Sequence, residues 1–387
     1  MREKLLNHYF LSQPHQPFFI LAFINALISM LLFALLFQGV IATDIPSKLF
    51  HTYTIIFLFF TPAFFAFLFT TFPRFSATEA IEQREYLNIF FPYLTTSIVA
   101  YLGLFSSTLF AFSIMLSLVA QLGAINILWS IYKRSTMPDK YDQFWILIGL
   151  GFGFLAQLLL FISLWVPSLF NLSLKIAIFL YLFLVFFTVA QRMVPFFSHA
   201  PIEKHKERFK VIVGLLGLHI FLEIIIPHSS FLVDLFLAYL IARELYRWRL
   251  PFPNPNPLVW ILHIALFWIP IAFLISSIAS ISALVSGSFY LNIGVHVLAL
   301  GFFVTMIIGF GTRVTIGHSG NIMMADNYTK ALFYATQVVA IARILTSINL
   351  TSNYFMLFFN LSIILWIILF LAWGYRFFAV LIFGKKL

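Results

Sequence analysis

The chain has 387 residues, 62% of them hydrophobic and 9% charged, with a mean hydropathy of +1.01. Soluble domains carry about a quarter charged residues and roughly half apolar ones, so a water-soluble globular fold is excluded. The net charge is +10, from 23 Lys and Arg against 13 Asp and Glu. The basic residues sit in short loops between apolar runs with no basic domain, which reads as a membrane-orientation signal and not as a nucleic-acid surface.

A membrane-crossing helix needs about 20 mostly apolar residues. Such runs lie near 17–40, 49–72, 87–105, 108–132, 143–166, 171–197, 208–226, 229–248, 257–281, 289–316, 328–348 and 354–382. They predict an all-α polytopic membrane helix bundle of about 12 transmembrane helices, with residues 1–387 forming one integral membrane domain. No gap between runs holds a soluble domain. Arg2 and Lys4 precede the first run as they would in a signal peptide. That run is too long for a signal core and lacks a small-residue cleavage site, so it reads as a retained helix. The tightest connections are at Ser106-Ser107 and Pro227-His228.

Twelve spans put both termini and every even-numbered connection on one side. That side collects Arg2, Lys4, Arg74, Arg84, Lys133, Arg134, Lys140, Arg192, Lys204, Lys206, Arg208, Lys210, Arg243, Arg247, Arg249, Arg313, Lys330, Arg376, Lys385 and Lys386. The other side keeps Lys48, Lys175 and Arg343. The asymmetry follows the positive-inside rule, so both termini are expected in the cytoplasm and the 41–48 connection outside.

Ionisable side chains within a bilayer are costly and mark function by default. Of the ten His, His8, His15, His199, His205 and His228 fall in connections and read as solvated or interfacial. His51 opens the second run at the outer face. His296 lies about 10 Å below that face, at 1.5 Å per residue. His318 follows 22 residues later in the same run, about 33 Å away on a continuous helix, so these two do not share a metal. His263 lies in the inner half of the ninth run. Depth thus gives an outer set, His51 and His296, and an inner set, His263 and His318. His219 and Glu223 are four residues apart on one helical face. They read either as a proton relay or metal aid, or as a buried pair that satisfies itself. Arg343 either snorkels to the headgroups or pairs with an anionic cofactor group.

With no Cys, thiolate haem ligands, c-type haem attachment and cysteine-bound clusters are excluded. Any metal falls to His, Met, carboxylate or backbone oxygen. No P-loop, dinucleotide fingerprint, HExxH site or nucleophile elbow is present. No twofold internal repeat of the transporter kind is visible.

The stretch 296–320, HVLALGFFVTMIIGFGTRVTIGHSG, resembles the NnrS family. His296, Gly301, Thr305, Met306, Gly309, Thr312, Arg313, Val314, Gly317, His318 and Gly320 match that family's late-helix signature. Pro17-Phe18-Phe19, Phe50-His51, Arg192-Met193-Val194-Pro195-Phe196-Phe197, Leu262-His263 and Trp268-Ile269-Pro270 are similar to further family segments in the same order. The chain departs from the family at Tyr53 and Thr54, where a His and a Glu are usual. It departs again at Gln16 and Asn321, where Arg is usual.

The resemblance implies a bacterial inner-membrane protein that binds haem, expected to be b-type, and copper, and is linked to nitric oxide metabolism and nitrosative stress. Its expected partners are the lipid bilayer, a small gaseous ligand such as nitric oxide, and an electron donor; no nucleic acid is expected. Neutral imidazole suits both groups. His51 and His296 are expected at the haem, with Arg343 or Lys48 near its propionates, and His263 and His318 at a second centre. Met323 and Met324 follow His318 in a loop, as soft donors or simply as interfacial residues. Whether such a protein turns substrate over is left open. The competing class is a secondary transporter or metal-handling permease that uses intramembrane His, Glu223 and Arg313.

Overall fold

A computed structural model of the chain describes residues 8–200 and 205–387; Arg2, Lys4 and Lys204 of the charge pattern lie outside the described residues. Twelve long helices make up the fold, with no strand among the described residues. They are α1 (His15–Phe37), α2 (Ser47–Phe75), α3 (Gln83–Leu102), α4 (Ser107–Arg134), α5 (Tyr141–Ile162) and α6 (Leu169–Phe197). Then come α7 (Lys206–Ile225), α8 (Phe231–Arg247), α9 (Pro257–Ser286), α10 (Ile293–His318), α11 (Asn327–Ile348) and α12 (Phe355–Phe383). The predicted all-helical membrane architecture is therefore present, run for run.

Ten of these helices are long and apolar enough to cross a membrane. The other two are α7 and α8, the expected seventh and eighth spans. Lys206, Glu207, Arg208 and Lys210 crowd the first turns of α7, and α8 has 17 residues and includes Asp234, Arg243, Glu244 and Arg247.

Local chemistry sets the boundaries. Ser106 accepts the Leu109 N–H to cap α4. A Cβ at Gly103 would come within 2.7 Å of the Phe110 backbone, so the glycine lets the chain reverse between α3 and α4 within a few residues. Asn256 caps α9, with Pro257 at its first position, where the missing N–H costs nothing. Asp326 caps α11 through Thr329.

Three helices contain a wide π-type stretch: Thr54–Phe60 in α2, Ile176–Leu182 in α6 and Leu298–Val304 in α10. Such stretches are rare and usually single. Here each begins 122 residues after the one before. The helices that contain them are also the most buried, with 89%, 78% and 83% of their apolar windows inside the protein. The Thr61 and Thr305 hydroxyls close the first and third stretches alike, each donating to the carbonyl five residues back, at Ile56 and Leu300. The three helices end alike too. Phe75, Phe197 and His318 are each followed by a serine, and then by a left-handed residue: Ala77 (φ 50°), His199 (φ 51°) and Gly320 (φ 72°). The chain is thus three successive four-helix repeats: α1–α4, α5–α8 and α9–α12.

By their contacts the residues form two compact units. One comprises residues up to Ala177 with Gly311–Met323 and Phe370–Leu387, and the other Ile178–Phe310 with Met324–Leu369. In the first, Phe23 stacks on Trp373 at 4.0 Å between centroids. Asn25 there donates to the Leu58 carbonyl and to Ser97, and accepts from Tyr101. These bonds satisfy a buried amide between helices, as polar residues in membrane bundles commonly do. In the second unit, Phe186 stacks on Phe303 at 4.9 Å, and Trp268 donates to Gln337 at 2.6 Å. A Cβ at Gly301 would come within 2.5 Å of the Trp268 ring, so only glycine admits that indole.

Candidate functional site

Each histidine owes its surroundings to the helix that carries it. His51 sits in the first turns of α2, with its ring 4.2 Å from that of Phe33. His296 lies at the start of α10, where its Nδ1 is 3.1 Å from the Asn292 carbonyl. Arg343 of α11 reaches the same ring: its Nη2 lies 3.2 Å from Nδ1 and 3.3 Å from Nε2. The guanidinium also donates to Ser347 at 2.5 Å and to the Leu291 carbonyl at 3.4 Å. The cation that pairs with His296 is therefore held by three groups of its own unit instead of extending freely.

His263 is fully buried in α9. Its Nε2 is 2.7 Å from the Ser198 hydroxyl, and its Nδ1 has no hydrogen-bond partner among the described residues. His318, the last residue of α10, points Nδ1 at the Gln13 side-chain oxygen, 3.1 Å away. His51 and His296 belong to different compact units, as do His263 and His318. Within its own unit, His318 meets a different ring, that of His15, at 4.9 Å between centroids with the planes tilted by 49°.

His15 is the residue sequence reasoning passed over. Its position before the first apolar run suggested an interfacial side chain, but it opens α1 and is only 2% exposed. Its Nδ1 has no hydrogen-bond partner among the described residues. The available signal was its place two residues ahead of Pro17-Phe18-Phe19, at the head of a buried helix. A cavity of about 420 Å³ adjoins the pair, lined by His318, Gln13, Arg74, Gln83 and Tyr86 among others.

His219 does not pair with Glu223. Its Nδ1 lies 2.6 Å from Asp234 Oδ1 on α8, and the carboxylate also accepts from Ser230 and Ser276. Glu223 instead accepts from the Ser230 hydroxyl. His219 Nε2 is buried with no hydrogen-bond partner among the described residues. A carboxylate on one ring nitrogen and a bare second nitrogen is the arrangement that orients a metal-binding imidazole; it also serves a proton acceptor.

Tyr53 and Thr54, the two departures, are satisfied packing groups. The Tyr53 hydroxyl pairs with Ser117 at 3.0 Å, and Thr54 donates to the Phe50 carbonyl at 2.9 Å. Among the described residues no three His, Asp or Glu side chains converge as a metal cluster.

Comparison with curated proteins returned no match. A family model described as NnrS protein matches residues 9–383.

Proposed function

The chain belongs to the NnrS family, and from that premise we propose that it is a haem-binding, copper-associated protein of the bacterial inner membrane that binds or reduces a small gaseous ligand such as nitric oxide. The match over nearly the whole chain carries this reading. The donor chemistry suits it. Cysteine is absent, so imidazole is the strongest ligand type available. His15, His219 and His263 each bury a ring nitrogen that no hydrogen bond uses. Leaving such a group unsatisfied costs about 1–3 kcal/mol, and metal ligation would remove that cost.

In this proposal His51 and His296 are the haem ligands at the outer level, with Arg343 beside His296 offering charge to an anionic haem edge. His263 and His318 belong to a second, inner centre. Haem bound there would supply reversible one-electron chemistry and an open face for a diatomic ligand. The protein's own part is to wall the group with phenylalanine, exclude water and hold the imidazoles in one orientation.

The test is the visible spectrum of detergent-purified protein. A Soret band that moves on reduction and again on addition of nitric oxide supports the reading. A colourless, metal-free preparation overturns it. His51→Ala and His296→Ala are expected to remove the same chromophore; if they leave different chromophores intact, the outer pairing fails. A second reading, a proton-coupled permease, draws on the buried His219–Asp234 pair and is selected by the colourless outcome together with proton-driven uptake in vesicles.

A further inference from the structure

The threefold repeat supplies an internal comparison. In each repeat the second helix ends against the opening of a first helix. At the end of α2, Gln143 of α5 donates to the Phe75 carbonyl at 2.6 Å. At the end of α6, Ser198 bonds His263 of α9 at 2.7 Å. At the end of α10, His318 meets His15 of α1. The last residue of the second helix is Phe, Phe and His in turn. Phenylalanine thus serves this junction twice as a structural residue, so helix termination does not require an imidazole at 318. Only the third junction sets two imidazoles face to face.

We propose that His15 and His318 together hold a copper(I) ion. This deepens the preceding reading, on which it rests for the identity of the metal, and makes His15 the partner of His318. Four observations converge. First, an imidazole nitrogen sits about 2.0 Å from a bound first-row metal, so two rings sharing one ion have centroids at most about 6 Å apart; these are 4.9 Å apart. Second, His15 is buried and keeps Nδ1 unused. Third, Gln13 accepts from His318 Nδ1, which fixes the tautomer and leaves the Nε2 lone pair for a metal. Fourth, no carboxylate lines the adjoining cavity, while Arg74 does. A neutral two-nitrogen site beside a cation disfavours hard dications and suits a soft monovalent one. The donor set is also incomplete, and the cavity gives a small anionic or neutral ligand access to the open position.

The test uses the full-length protein in detergent, titrated with Cu(I) against a colorimetric chelator, with the visible spectrum recorded in parallel. The wild type is expected to hold one tightly bound Cu(I). His318→Phe installs the residue found at both equivalent junctions, so folding is expected to survive. It and His15→Ala should weaken that site more than tenfold while leaving the Soret band in place. Gln13→Leu, which removes only the orienting bond, should weaken binding about tenfold. Gln143→Ala and His199→Ala, at the other junctions, should bind as the wild type does. Wild-type affinity in His318→Phe overturns the proposal, as does a wild type that takes no tight Cu(I) and is instead stabilised by inorganic phosphate through Arg74. A colourless preparation that still loses Cu(I) in His318→Phe removes the haem reading and keeps this one.

Discussion

Arg343 holds His296 from the side: one guanidinium nitrogen lies within 3.3 Å of both ring nitrogens, and Ser347 and the Leu291 carbonyl anchor the rest of the group. The ring orientation therefore depends on a second helix. Arg343→Ala leaves those acceptors unpaired and should cost about 1–3 kcal/mol, seen as a lowered melting temperature. If His296 carries haem, the Soret maximum moves as well. Arg343→Lys keeps the charge but loses the fork of donors, so it should recover only part of both readouts. An unshifted spectrum in both variants would detach Arg343 from the cofactor.

The His219–Asp234 pair is almost completely buried. Removing one partner strands the other, at a cost of about 3–5 kcal/mol. Asp234→Ala and His219→Ala should each show that loss in thermal unfolding. The double replacement His219→Phe with Asp234→Leu should return most of the stability, because no polar group is left unmatched. If that double variant also abolishes a spectral or transport activity that a stable fold retains elsewhere, the pair has a chemical role and not only a structural one.

Tyr53 stands where a family histidine is expected, yet its hydroxyl is engaged by Ser117. Tyr53→Phe should cost about 1 kcal/mol and leave the visible spectrum and the metal content unchanged. A change in either would make the phenol a ligand.

Gly301 lies against the Trp268 indole with no room for a methyl group. Gly301→Ala should destabilise the protein by about 1–3 kcal/mol through overpacking. Adding Trp268→Leu should relieve the clash, although it gives up the bond to Gln337. Equal melting temperatures for wild type and Gly301→Ala would show that the indole has another place to go.

The helical runs were legible because apolar length is a direct requirement of the bilayer, and even the one-residue break at Ser106 falls where the sequence set it. Limits appeared where position in space departs from position in the chain. His15 looked solvated because it precedes the first apolar run, but α10 ends beside it. His219 was matched to Glu223 by helical spacing, whereas Asp234 reaches it across the turn from α7 to α8. The repeat escaped notice because its copies share turn geometry and helix length, not residue identity. Phe75, Phe197 and His318 have a common place and little else.

The wide stretch in α10 also acts as an angular setting. In an ordinary helix each residue advances the chain by about 100° around the axis. A single deletion within Leu298–Val304 would let the helix close up and would swing everything after it by that amount. His318 would then leave its ring partner on α1 while His296, ahead of the stretch, stayed put. One codon thus couples or uncouples the two ends of a helix whose residues all remain unchanged.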